Sequence, residues 1–213
     1  MRIVHLSAIS YLLFKSSGPA KVAYELSDKL SSNGHKVYLF ATDKHRSDGI
    51  KKAVKINDRF IVYHCNLLFR LLAYRHRFYI TTYTDQETLG EVIRSADIVH
   101  IHDYYSPFSI YAARYAQKYG VPYVLQAHGS LPRIGSWKKL KWFYDVLFGY
   151  GLLKDASKVI ALSEVEAGQY RSMGVPEEKI AIIPNGINLS EYAELPPKGA
   201  FKKKFNIPED KKI

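Results

Sequence analysis

The sequence predicts an α/β fold, a doubly wound parallel sheet of the Rossmann-like kind, and three observations carry that expectation. Short β-branched and apolar runs recur down the chain, and segments with helical spacing separate them. The runs are also continuously apolar, as strands covered on both faces must be. A length of 213 residues suffices for one sizeable domain of this kind.

Arg2 to Ser7 reads as the opening strand, and a loop containing Ser and Gly follows it as far as Ser17, Gly18 and Pro19. From Ala20 the pattern turns helical. Val22, Leu26 and Leu30 recur every four residues, Glu25 precedes Lys29 by four, and Gly34 supplies a stop. Lys36 to Thr42 then resumes strand character and completes a βαβ unit. Asp97 to His102 predicts a buried strand, Ser106 to Tyr119 a helix, and Val121 to Ala127 a strand after Gly120. A helix over Ser136 to Lys154, a strand over Lys158 to Leu162 and a helix over Glu164 to Met173 come next. The last strand, Lys179 to Ile183, precedes the Pro184, Asn185, Gly186 turn.

Ala193 to Gly199, with two adjacent prolines, reads as a linker; Ala200 to Phe205 reads as a short lysine-rich helix, and Lys211 to Ile213 as the start of another strand. The expected organisation is therefore one domain over residues 1–192, with 193–213 a linker and the opening of a further domain that the chain does not carry.

Composition is that of a folded protein, 47% hydrophobic and 24% charged, without a low-complexity tract. The formal charge of +11 attracts phosphate-rich or anionic partners without choosing among them. The single cysteine, Cys65, can form no internal disulfide, and no charged-then-apolar leader precedes the first strand, so a cytoplasmic location is expected. The richest apolar stretch, Trp142 to Leu153, is interrupted by Asp145 and is too short to span a bilayer.

Ligands of doubly wound sheets bind at the carboxyl ends of the strands, so the loops after Ser7, His102, Ala127, Leu162 and Ile183 are the ones to search. Gly18 and Pro19 open a helix whose free N–H groups favour an anion. No Gly-x-Gly-x-x-Gly follows the first strand, which argues against a nicotinamide dehydrogenase. His128 leaves a buried strand beside Gly129 and Ser130, which puts an imidazole in the crevice next to a residue that allows close approach. His102, Asp103 and Tyr104 end another strand and are expected to line the same crevice. His100 and His102 share one face of a strand but have no evident third ligand, so His100 reads as a satisfied core residue or as one that supports the crevice from behind, and no metal is expected.

One helix start gathers Arg133, Trp137, Lys138, Lys139, Lys141 and Trp142. Lysines there oppose the helix dipole, and an anionic membrane surface is a target that would suit them. An ordinary helix with solvated lysines accounts for the same residues. A second such stretch runs from Leu67 to Tyr83, with Arg70, Leu71, Leu72, Arg75, Arg77, Phe78 and Tyr79.

These stretches together resemble glycosyltransferase family 4, retaining enzymes of the GT-B fold. The residues that carry the resemblance are Ser-Gly-Pro-Ala-Lys-Val-Ala at 17–23, Asn-Gly-His-Lys-Val at 33–37 and His-Ile-His-Asp at 100–103. Ala-His-Gly at 127–129, Ala-Leu-Ser-Glu at 161–164 and Ile-Pro-Asn-Gly-Ile-Asn at 183–188 continue it. The resemblance implies an amino-terminal, acceptor-side half that works with a donor-binding domain and is inactive alone. It implies that Gly18 lies near the donor phosphates and the acceptor, although many members carry two glycines where this chain has Ser17 and Gly18. It implies that His128 contacts the transferred sugar or supports the acceptor, with Asn185 at the turn leading to the interdomain hinge.

The expected function is transfer of a sugar from a nucleotide sugar to a glycan or lipid-linked acceptor, with no cofactor, no metal and no nucleic-acid partner, near or on the inner face of a membrane. A non-catalytic module that binds an anionic lipid or glycan is the alternative.

Overall fold

A computed structural model describes residues 1–12, 17–42, 52–69, 80–133, 137–189 and 193–212. The first βαβ unit forms as the pattern requires. Strand β1 (Arg2–Ser7) leads to helix α1 (Gly18–Ser32), capped by Ser17, and then to β2 (Lys36–Thr42), which pairs in parallel with β1. Helix α1 begins two residues before the predicted start because Pro19 suits the first turn and the Ser17 hydroxyl accepts from the Ala20 N–H. Its buried stripe is Ala20, Ala23, Ser27 and Ser31, while Val22, Leu26 and Leu30 are half-buried. Small side chains let the helix backbone approach the sheet closely, and the larger ones fill the flanks of the contact.

The middle of the chain supplies elements that the sequence pattern did not predict. Strands β3 (Ala53–Asn57) and β4 (Phe60–Cys65) form an antiparallel pair, and α2 (Tyr83–Arg94) follows. Next come β5 (Ile98–Ile101), α3 (Pro107–Tyr119) and β6 (Tyr123–Gln126). Helix α3 starts on a Ser106 cap and ends on Gly120 in the left-handed conformation, at φ 67°. Strand β7 (Lys158–Ala161), α6 (Glu164–Ser172) and β8 (Ile180–Ile182) complete the sheet.

Among the described residues the sheet has eight strands in the order β3-β4-β2-β1-β5-β6-β7-β8, and every pairing is parallel except β3 with β4. The chain winds outward from β1 through β2, then returns to β5 on its other side, which puts the topological switch point between β1 and β5. Val4, Leu6, Val99, Ile101, Leu125 and Val159 are almost wholly buried between the helical layers, each worth ~1.5–3 kcal/mol of apolar burial.

The helix predicted over Ser136 to Lys154 is not uniform. It runs as α4 (Lys138–Tyr144), a π-helical segment (Asp145–Gly149) and α5 (Tyr150–Asp155). The wider turn brings Asp145 and Gly149 inward against Tyr104, whose hydroxyl would lie 2.1 Å from a Cβ at position 149. Only glycine fits there. Beyond β8 a short helix α7 (Ala200–Lys204) forms as predicted, whereas Lys211 and Lys212 are not in a strand and Ile213 lies outside the described residues. No helix among the described residues is long and apolar enough to cross a membrane.

Candidate functional site

The ends of β1, β5, β6 and β7 form a rim at the switch point, where open parallel sheets hold their ligands. Asp103, just past β5, accepts a short hydrogen bond from the Ala8 N–H just past β1, and its backbone carbonyl accepts from the Ser109 hydroxyl at 3.0 Å. The first loop is thus tied to the start of α3. Desolvation pushes the Asp103 carboxyl up to about 7 against the opposing effect of the Ala8 amide, so this partly buried acid holds a proton far more readily than an exposed one.

His128 sits in the turn after β6, partly buried, with φ 51° in the left-handed region, and Gly129 follows at φ 74°. Consecutive left-handed residues turn the chain sharply off the strand end. The turn is tied down from below: the Ala127 N–H donates to the Tyr170 hydroxyl at 2.9 Å, the Ser130 hydroxyl donates to the Ala127 carbonyl at 2.7 Å, and Glu166 accepts from the Gly129 N–H at 2.6 Å. The other oxygen of Glu166 accepts from the Leu162 N–H at 2.7 Å, so one buried carboxylate fastens the turns after β6 and β7 together. Sequence reasoning missed this residue. Ser163 and Glu166 have the spacing of a capping box, a signal that would have drawn attention to Glu166 while assigning it to the helix start alone.

Beneath His128 lies a group of imidazoles. His102 Nδ1 is 3.2 Å from His128 Nε2, and His102 Nε2 is 2.9 Å from His5 Nδ1. His100, in register with His5 across β1 and β5, stacks on His102 with ring centroids 3.9 Å apart. Burial pulls His5 down to about 3 and His128 down to about 4; it also holds His100 and His102 well below the ordinary range, with repulsion among the rings adding to the effect. All four are neutral at pH 7. The third imidazole that the sequence did not reveal is therefore His5. Of the two expectations for His100, the satisfied core residue is not what the structure shows, because its Nε2, like that of His5, has no hydrogen-bond partner.

His5, His100 and His102 have ligating atoms within 4.8 Å of one another, which raises the question of a metal. The arrangement does not fit one. A zinc ion needs three nitrogens converging at ~2.0–2.1 Å, whereas His5 and His102 are already bonded to each other and the His100 and His102 rings lie face to face.

The structure treats the remaining predicted residues unequally. Asn185 is at the rim, where its side-chain oxygen accepts from Gln126 at 3.4 Å. Gly18 is exposed at the first turn of α1, but its φ is ordinary and open space surrounds it, so the fold itself does not demand glycine there. Pro19 has no N–H and the Ala20 N–H is taken by Ser17, so this helix start offers fewer donors to an anion than expected.

Tyr104 requires a correction. It is wholly buried, and its hydroxyl donates to Asp145 at 2.8 Å, so it supports the helix and does not face the crevice. Of the residues expected at a membrane surface, Arg133 donates to Asp145 at 2.7 Å and to the Tyr150 hydroxyl at 3.0 Å, and is committed to that ion pair. Lys141 donates to the Pro132 carbonyl and lies 4.6 Å over the Tyr105 ring. Trp137, Lys138, Lys139 and Trp142 remain exposed. Of the second basic stretch, residues 70–79 lie outside the described residues.

A hollow of about 600 Å³ lined by Met1, Arg2, Lys36, Asp58, Arg59 and Asp97 opens at the opposite end of the sheet. That is the amino end of the strands, where this architecture does not place its ligands, so the rim is the better candidate.

The family model for Glycosyltransferase Family 4 matches residues 16–191. No curated protein sequence matches the chain. Among solved structures it is similar to HepE from Anabaena in complex with UDP and glucose, with a TM-score of 0.64 and 14% identity, over 97% of this chain and 50% of that one. It is similar to sucrose-phosphate synthase from Thermosynechococcus elongatus, with a TM-score of 0.63 and 15% identity, over 99% of this chain and 53% of that one. An E. coli structure described as trehalose-6-phosphate bound with UDP-2-fluoro glucose gives a TM-score of 0.56 at 16% identity, over 96% of this chain and 54% of that one. The chain thus spans about half the length of these structures, and at such identities the likeness is one of fold.

Proposed function

Because this chain belongs to glycosyltransferase family 4, we propose that it is the acceptor-side half of a retaining enzyme that moves a sugar from a nucleotide sugar to a glycan or lipid-linked acceptor. The observation that carries this reading is the family match together with the turn after β6 that holds His128 against His102, beside the switch point. Donors of the class named for the structural neighbours, uridine diphosphate sugars, are the ones to try first. No metal or cofactor takes part in this reading. His128 meets the transferred sugar, while Asp103, Gly129, Ser130, Asn185 and the turn at Gly18 and Pro19 border the substrates. The transition state forms between this half and a donor-binding half, so the chain alone lacks turnover, because orientation of both substrates is the larger part of what such an enzyme supplies.

The test is His128→Ala in the two-domain protein. Loss of one side chain that positions the reacting sugar should lower kcat on the order of 10²-fold while the thermal midpoint stays close to that of the parent. Unchanged turnover would remove His128 from the reaction.

A second reading concerns location. Trp137, Leu140, Trp142, Phe143, Val146 and Leu147 are exposed along the helix from α4 into the π segment, with Lys138 and Lys139 at its start. Exposed apolar side chains flanked by lysines suit an anionic bilayer surface, on which the enzyme would dock peripherally from the cytoplasmic side to reach a lipid-linked acceptor. At ~1 kcal/mol per surface lysine, the two lysines should make binding to anionic vesicles exceed binding to neutral ones by roughly thirtyfold in low-salt co-sedimentation, and Lys138→Glu with Lys139→Glu should abolish that difference. Equal binding to both vesicles rules out the electrostatic contribution.

A further inference from the structure

Three neutral rings joined by two hydrogen bonds must be polarised in one direction. Each neutral imidazole carries a single N–H, and each contact in the string His5, His102, His128 needs one proton. If His102 donated at both ends it would be a cation, and if it accepted at both ends it would be an anion; burial disfavours both. Two arrangements remain. In one, His5 Nδ1–H donates to His102 Nε2 and His102 Nδ1–H donates to His128 Nε2, which leaves His5 Nε2 as a bare lone pair. In the other, every bond is reversed and His5 Nε2 carries a proton.

The inner end of the string chooses between them. His5 is 1% exposed and its Nε2 has no partner. A buried N–H without an acceptor is rarer in native structures than an under-satisfied acceptor. The first arrangement is therefore favoured, and it fixes the outer end: His128 has Nε2 occupied as an acceptor and Nδ1 protonated.

We propose that His102, backed by His5, is a positioning residue that locks His128 in the Nδ1–H tautomer, so that His128 meets the transferred sugar as a hydrogen-bond donor and not as a base. The proposal rests on the reading that His128 touches substrate, and it adds how that contact is made. A donor can hold a hydroxyl oxygen of the transferred sugar in place, and the lock spares the enzyme the cost of selecting a tautomer at each turnover. The ring at 128 is also held in orientation, since its Nε2 is bonded within the protein.

The test has two arms. Long-range proton–nitrogen correlation spectra of the 213-residue chain with ¹⁵N-labelled histidine, at neutral pH, report each tautomer without any ligand. His128 is expected to show a protonated Nδ1 and a lone-pair Nε2, and a protonated Nε2 at His128 overturns the proposal in the unmodified chain, so no variant has to fold. In the two-domain protein, His102→Leu should lower kcat on the order of tenfold or more with KM little changed, as an imidazole freed to take the wrong tautomer does. His102→Asn, whose amide takes the place of Nδ1 and can still donate to His128 Nε2, should restore most of that loss; failure of this rescue, or kcat unmoved in His102→Leu, also overturns the proposal. If turnover survives His128→Ala, the proposed function fails on its own ground, whereas the spectrum judges the tautomer lock separately.

Discussion

The imidazoles of His5, His100 and His102 at the sheet's switch point and the carboxylate of Asp145 are comparably hidden from water, yet the chain satisfies them in opposite ways. Asp145 is saturated: Tyr104 donates to one oxygen, Arg133 donates to the other, and the Tyr105 hydroxyl lies 3.2 Å away. The histidines are instead discharged by burial, and two of their nitrogens have no partner. Saturation costs little and leaves nothing over for a ligand; discharge with open valences leaves a site that is poised and incomplete. The Asp145 cluster anchors the π-bearing helix and the imidazoles border the rim, so degree of satisfaction separates the structural group from the one proposed to act.

Three measurements sharpen that contrast. Among the substitutions the largest effect belongs to Asp145→Ala, which strands the Tyr104 hydroxyl in the core and deprives Arg133 of its counterion. Arg133 keeps about a third of its side-chain surface in water and can rehydrate, so the cost comes mainly from the orphaned Tyr104 hydroxyl, ~1–3 kcal/mol, a fall on the order of 5 °C in the midpoint of a chain this size. A loss below ~1 kcal/mol would mean that the Asp145 cluster is no better anchored than a surface ion pair.

Acid comes next. His5 titrates at about 3 and His128 at about 4 in the folded chain, against 6.5 for free imidazole. As pH falls below about 6.5 the unfolded chain takes up protons that the buried rings refuse, so the contribution present above 6.5 is progressively lost down through about 4 for His128 and about 3 for His5, at ~1.4 kcal/mol per unit of pKa difference per ring. Asp103 opposes this. Its carboxyl, raised from 3.8 to about 7, contributes stability below about 4 that fades as pH rises through 7. Four imidazoles against one carboxyl give a net loss on acidification, which thermal unfolding followed by circular dichroism between pH 7 and 4 will register. A flat profile would indicate that the cluster is hydrated and not discharged by burial.

The smallest expected effect is that of Gly18→Ala. An added Cβ meets nothing within 4 Å and the backbone there is ordinary, so stability should change by no more than ~0.5 kcal/mol. Any larger fall in turnover of the two-domain protein therefore reports a bound ligand approaching that backbone, and an unaltered KM and kcat would take Gly18 out of the site.

Most of the sheet was legible because its strands are apolar runs set between helical spacings. The β3 and β4 pair was not, since β3 is an edge strand whose residues Lys55 and Asn57 stay exposed and whose pattern is too short to stand out. Within the site, His128, Gly129 and Asn185 could be read from their strand-end positions. His5 could not, because it meets His100 only through the parallel register of β1 with β5, a pairing that no local pattern announces. A titratable residue in the middle of an apolar run was the one clue. Tyr104 and Arg133 were misassigned for a related reason: the acid that collects them stands 41 and 12 residues further along the chain, and only the folded helix brings it within reach.

The left-handed backbone at position 128 has a consequence for how that ring should be interrogated. A side-chain-bearing residue in this conformation gives up roughly 1–2 kcal/mol relative to the right-handed region, so glycine would occupy the same corner in greater comfort than histidine does. His128→Gly therefore removes the imidazole while relaxing the main chain, and a variant that is sturdier yet idle would separate what the corner needs for shape from what it needs for chemistry.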